Sequence, residues 1–201
     1  MRRGLPPPVI ALLALAGVVG GCRASAPTRE GVAVAPGAWT RSDPRLTALA
    51  DGDFADRARV AESLVAEGPR ALPVLGPAAD AADGERSRAA LRLDATLRAV
   101  VAALPGGDLR AAIADPSPAV RAAAVAEAGR RGDTAAVPAV AARLDDDAAR
   151  VRAQAVVAVR ALTGQLTDVD PWAPREVTRA AAARVNLARG GPVGAGRPSG
   201  S

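Results

Sequence analysis

The chain has 201 residues, enough for one domain with flanking segments, and its net charge of +5 comes from 26 arginines against 21 acidic residues, with no lysine or histidine. Apolar residues make up 49%, but much of that is alanine; one Phe, two Trp and no Tyr exclude a core of large side chains. The lack of histidine removes the usual general base and the commonest neutral metal ligand. Acidic and basic residues are interspersed through the chain, without the basic stripe or aromatics that nucleic acid asks for.

Residues 1–22 read M-R-R-G-L-P-P-P-V-I-A-L-L-A-L-A-G-V-V-G-G-C. The apolar run at 9–19 is too short to cross a bilayer as a helix. A positive start and small residues at the end follow the secretory pattern, so 1–21 is expected to be a signal peptide. Loss of Arg2 and Arg3 with it would leave a charge nearer +3. Val19-Gly20-Gly21-Cys22 resembles the lipobox of bacterial lipoproteins, with Gly20 the less typical occupant. That resemblance implies that Cys22, the only cysteine, carries a diacylglyceryl group and becomes an acylated terminus bearing fatty chains such as palmitate. Two or more chains hold a protein stably on a membrane, where one does not. It also implies export to the cell envelope; Arg23 stands where an aspartate would mark inner-membrane retention, which favours the outer membrane in a Gram-negative host. The alternatives are an ordinary signal peptide with an incidental cysteine, or an uncleaved anchor.

Residues 22–44, rich in Pro, Gly, Ser and Thr, read as a flexible tether. Trp39 within it can pack on the first helix or sit at lipid headgroups, with packing favoured. A helical domain is expected over 45–189. Arg57, Val60, Ala61 and Leu64 recur at helical spacing, and Gly68-Pro69 turns the chain into a partner helix ending near Asp80, with Pro73 delaying its start or bending it. A single long helix is predicted over 82–104, stopped by Pro105-Gly106-Gly107, and a short one over 108–114.

Ser117-Pro118 offers an N-cap and a first-turn proline for a helix to about Arg130. After Gly132-Asp133-Thr134 a second helix is predicted over 134–144, then another over 148–162, ending at Thr163-Gly164. The triplet Asp145-Asp146-Asp147 is better read as helix capping than as a calcium loop, because no spaced acidic ligands follow. An extended link over 166–174 leads to a last helix over 175–189, whose Val177, Ala181, Val185 and Ala188 seal the end, with Trp172 as a plug. Residues 190–201, rich in Gly and Pro, are expected to be disordered.

An internal echo organises these elements. Asp115 and Asp146, Val120 and Val151, Arg121 and Arg152, Ala124 and Ala155, and Ala128 and Val159 are all 31 apart. Extending the series backwards gives Arg57 and Arg88 at spacings of 31 and 33, each with apolar residues three and seven further on (Val60 and Leu64; Leu91 and Ala95). A period of this length marks stacked modules that bury their faces against one another. The predicted class is therefore all-α, an α-solenoid (alpha-alpha superhelix) of antiparallel helix pairs, with about four units.

The segment D-P-S-P-A-V-R-A-A-A-V-A-E-A-G-R-R-G-D-T-A-A-V-P-A-V-A-A-R-L-D, with V-R-A-Q-A-V-V-A-V-R-A-L after it, resembles the HEAT-repeat family in its short, phycobilisome-lyase type. The resemblance covers about 46–189 and is most specific at 115–164. It implies a ladder between neighbouring repeats formed by loop Asp and helix Arg, here Asp115 with Arg121 and Asp146 with Arg152; Asp53 with Arg57 and Asp83 with Arg88 are looser counterparts. The lyase activity of the namesakes is not implied, since a scaffold does not fix function.

The functional expectation is a membrane-anchored scaffold, not an enzyme, that holds a protein partner on its inner helices, with Arg70, Arg131 and Arg143 as candidate contacts. No cofactor, metal or nucleic acid is expected. A structural spacer without a ligand is the alternative, followed by an enzyme acting through exposed carboxylates.

Overall fold

Asp43 opens the first α-helix for two local reasons: its carboxylate accepts the Arg45 N–H, and Pro44 fills the first turn, where a missing N–H costs nothing. The same logic recurs along the chain in this computed structural model, whose described residues are 38–164 and 166–183. The expected signal peptide, Cys22, the tether up to residue 37, Val185 and Ala188 of the expected last helix, and the tail from 190 lie outside them. All described residues belong to the compact unit Val34–Ser201.

Among the described residues the fold is all-helical, without strands. A 3₁₀ turn, Ala38–Arg41, precedes α1 (Pro44–Asp51) and α2 (Phe54–Glu67). Trp39 is buried and donates its indole N–H to Glu85, and Thr40 is buried beside it. The packed domain thus starts inside the stretch expected to be tether, and Trp39 does pack. After a 3₁₀ turn at Gly68–Ala71 comes α3 (Leu72–Ala81). Pro73 sits in its first turn, so it delays the regular start as anticipated, while Pro77 is carried inside the helix.

The long helix expected over 82–104 is shorter. Ser87 caps α4 (Arg88–Ala103) by accepting the Ala90 N–H, and the chain before it turns through Gly84 at φ 85°. A serine at an N-cap and a glycine in the left-handed region outcompete helical continuation. Then follow α5 (Gly106–Ala112) and α6 (Pro118–Arg131), the latter capped by Ser117 as the sequence predicts. Gly132 closes α6 in the left-handed conformation.

The helix expected over 134–144 is only α7 (Val137–Ala142), flanked by 3₁₀ turns at Thr134–Ala136 and Arg143–Asp145. Pro138 falls in its first turn. Last come α8 (Ala149–Thr163) and α9 (Arg175–Ala182).

The core runs continuously through these elements, from Leu46, Leu49 and Leu64 through Leu93, Leu97 and Val100 to Val120, Ala124, Val140, Ala155 and Val159. Equivalent positions of α6 and α8 are buried alike: Val120 with Val151, Ala124 with Ala155, Ala128 with Val159. The two helices lie so close that a Cβ on Gly129 would stand 3.0 Å from the Ala158 backbone. Small residues at the seam allow that approach. α4 does not keep the expected phase. Leu91 and Ala95, three and seven residues after Arg88, face outward, and Leu93, Leu97, Val100 and Val101 form its buried stripe.

The end of the described chain also departs from expectation. Trp172 is 71% exposed and plugs nothing, and Val177 is exposed too. Val169 and Thr178 are the residues buried there, with Ala181 and Ala182 packed against the core. No described helix is long and apolar enough to cross a membrane.

Candidate functional site

Arg121 and Arg152, 31 residues apart, make matching contacts at the starts of α6 and α8. Nη1 of Arg121 donates to the Asp115 and Pro116 carbonyls, each at 2.9 Å, six and five residues back. Nη1 of Arg152 donates to those of Asp146 and Asp147 at 2.8 and 3.0 Å, also six and five back. The rest of each guanidinium reaches forward to the next loop. Nε and Nη2 of Arg121 grip both Asp146 oxygens at 2.9 and 2.8 Å, a bidentate pair. Arg152 instead takes the Pro171 and Ala173 carbonyls, at 2.9 and 3.3 Å.

The loops match as well. Asp115, Asp146 and Asp170 each accept the N–H two residues on, from Ser117, Ala148 and Trp172. Each arginine therefore meets backbone oxygens of the loop before its own helix, not the carboxylate six residues back that the resemblance implied, and the carboxylate contact runs from Arg121 to the loop before the next long helix, at Asp146. Asp170 is a third loop aspartate that the sequence reading did not put in the series, although Asp170-Pro171 repeats Asp115-Pro116.

Arg57 keeps the inward half of this pattern, donating to the Gly52 carbonyl at 2.5 Å. Arg88 keeps neither half: it is the exposed first residue of α4, and Arg92 is the arginine of that helix that reaches a carbonyl, that of Ala50. The counterparts Asp53 and Asp83 do other work. Asp53 caps α2, and Asp83 pairs with Arg150.

Electrostatics at the junction follow from this packing. Burial pushes the Asp146 carboxyl up, but the Arg121 hydrogen bonds, the Ala148 N–H and the charges of Arg121 and Arg143 outweigh it, so its pKa lies below the ordinary value. The bond to Asp146 raises that of Arg121. Glu127, buried on α6, is held low chiefly by Arg130, and by Arg131 as well. Sequence reasoning missed Glu127; only its place four residues before Arg131 hinted at a pair.

Of the three candidate contact residues, Arg131 is committed to the fold. It pairs with Glu127 and donates to the Leu104 and Ala102 carbonyls at 2.8 and 2.9 Å, closing the C-terminal end of α4. Arg143 pairs with Asp146 at 3.2 Å and is half-buried. Arg70 is exposed in the turn before α3. The three are not gathered into one surface by any contact among the described residues.

A concavity lies elsewhere, along α4 and α6. It is a groove of about 650 Å³ floored by alanines, including Ala99, Ala102, Ala122, Ala123 and Ala126, with Leu91 at its edge. Among its lining residues Asp94 pairs with Arg98, Glu127 with Arg130, and Asp83 with Arg150. A smaller hollow of about 480 Å³ shares Asp83 and Arg150 with it and is bounded by the exposed Trp172. Neither hollow is lined by α7 or by Arg70, Arg131 or Arg143. Arg150 pairs with Asp80 as well as Asp83, and Asp80 also accepts the Ala119 N–H at 2.9 Å, so the groove wall is tied across three helices.

Among the described residues no three His, Cys, Asp or Glu side chains converge as a metal site would require. No protein-family model matches the chain, and neither a curated protein nor a solved structure is significantly similar to it.

Proposed function

We propose that the chain is an α-solenoid of short HEAT-like repeats, held in the bacterial cell envelope by a lipidated Cys22, which binds another protein and catalyses nothing. The observation that carries the solenoid reading is the shared placement of Arg121 and Arg152, 31 residues apart, on equivalent loop carbonyls. Modules related in this way present extended surfaces to partners. The groove over α4 and α6 supports a binding role, since an exposed Leu91 beside an alanine floor leaves apolar area unburied. Anchoring rests on the sequence Val19-Gly20-Gly21-Cys22 alone.

Mass spectrometry of the mature N-terminus, with membrane fractionation of wild type and Cys22→Ser, tests the anchor. Acylated Cys22 at the terminus and release of the variant from membranes are expected; an unmodified thiol contradicts it. Crosslinking in the native envelope tests the scaffold. A stoichiometric partner protein supports binding, and its repeated absence favours a spacer.

A further inference from the structure

The triplet Asp145-Asp146-Asp147 divides its work between two partners. Asp146 is bound by Arg121 out of reach of water, with the two side chains only 2% and 11% exposed. Asp145 and Asp147 instead meet the arginines of α9. Arg175 pairs with Asp147 and lies 3.8 Å from Asp145, and Arg179 pairs with Asp145 at 3.1 Å. These pairs are open to solvent: Arg175 and Arg179 are 48% and 60% exposed. Little else holds the helix. α9 packs on the short turn at Arg143–Asp145, whereas α6 and α8 pack along one another. Of its eight residues only Thr178 is buried, and the Thr178 hydroxyl donates to the Arg175 carbonyl of the same helix. Ala181 and Ala182 add small apolar contacts, while Val177 faces water.

We propose that α9 is a flap held shut by charge, which opens as a unit of its own when its ion pairs with Asp145 and Asp147 are screened, while α6 and α8 stay folded. Neither a partner protein nor a lipid anchor is needed for it. Segments with few buried apolar contacts open locally at less cost than the whole fold. Salt screens exposed charges over a distance that shrinks from about 10 Å at 0.1 M to about 3 Å at 1 M, and screens buried pairs much less. One acidic loop therefore carries a salt-resistant bond, Asp146 to Arg121, and a salt-sensitive latch on either side of it. Arg152 holds the Pro171 and Ala173 carbonyls, so the movement starts just beyond them, at Pro174. A helix of eight residues does not persist alone in water, so undocking and melting are one event. Opening uncovers the turn at Arg143–Asp145, and ionic strength is the signal that sets how often it does so.

The test is amide hydrogen exchange, read by mass spectrometry, on the full-length protein at about 20 mM and about 500 mM NaCl, salt levels that bracket the screening range. Exchange over 175–182 is expected to quicken about fivefold at the higher salt, the combined effect of screening a few exposed pairs. Exchange over 149–163 should not change. Replacing both exposed arginines, Arg175→Gln with Arg179→Gln, should make 175–182 exchange fast at low salt and remove the salt response. Arg179→Lys, which keeps the charge, should retain it. Exchange over 175–182 that ignores salt, or a salt response that survives the double substitution, would overturn the proposal. So would equal quickening over 149–163, which would make the opening global.

Discussion

Asp115 and Asp146 look interchangeable in the sequence and differ in what their carboxylates do. Asp146 is buried and receives the Arg121 fork, Arg143 and the Ala148 N–H; Asp115 accepts a single backbone N–H from Ser117. Removing one partner of a buried pair strands the other. Asp146→Ala should therefore cost about 3 kcal/mol in urea unfolding, against ~1 kcal/mol for Asp115→Ala, which loses one hydrogen bond. Equal costs would contradict the assignment of the inter-module contact. The pH dependence follows from the same residues. Asp146 and Glu127 titrate below their ordinary values in the folded chain, so the unfolded chain takes up their protons first. Their contribution is fully present above the ordinary carboxylate value of about 4 and is lost as pH falls from there through their lowered folded-state values. A thermal midpoint that drops below that pH in wild type, and drops less in Asp146→Asn, is the expected result.

At the scale of elements, the places where the sequence was legible share a physical cause. Ser117-Pro118 and Gly132 set α6 through local chemistry, and both ends fell where local rules put them. The 31-residue echo was legible because equivalent residues in α6 and α8 face equivalent neighbours. The rest depended on partners far along the chain. Trp39 is fixed by Glu85, 46 residues away, and Arg131 by the end of α4; spacing within one helix carries no such information. Arg88 failed as a ladder residue because α4 turns a different face to the core. The contrast between the two tryptophans gives a direct check: Trp39→Phe should leave only the red-shifted, readily quenched emission of exposed Trp172, and Trp172→Phe only a blue-shifted, protected one. Close packing gives another. A Cβ on Gly76 would lie 2.8 Å from that of Ser117, so Gly76→Ala should destabilise by roughly 1–2 kcal/mol despite alanine's higher helix propensity. A stabilised Gly76→Ala protein would mean that α3 and α6 sit further apart.

Across the whole molecule, the account requires that modules add. Each Arg-and-loop unit stabilises its neighbour through Arg121 on Asp146 and Arg152 on the Pro171 and Ala173 carbonyls, while burial along the alanine-rich seams supplies most of the stability. The scaffold reading builds on this architecture, and the anchor reading rests on the sequence Val19-Gly20-Gly21-Cys22 alone. Inserting a second copy of residues 115–145 immediately before Asp146 tests it most directly, because each copy of Arg121 then meets a loop aspartate, the inserted Asp115 or Asp146. Urea unfolding followed by circular dichroism should remain a single cooperative transition, with more helix and a larger denaturant slope in proportion to the added length. Loss of the cooperative transition, or an insert that adds no helix, would show that the 31-residue echo is not a structural repeat.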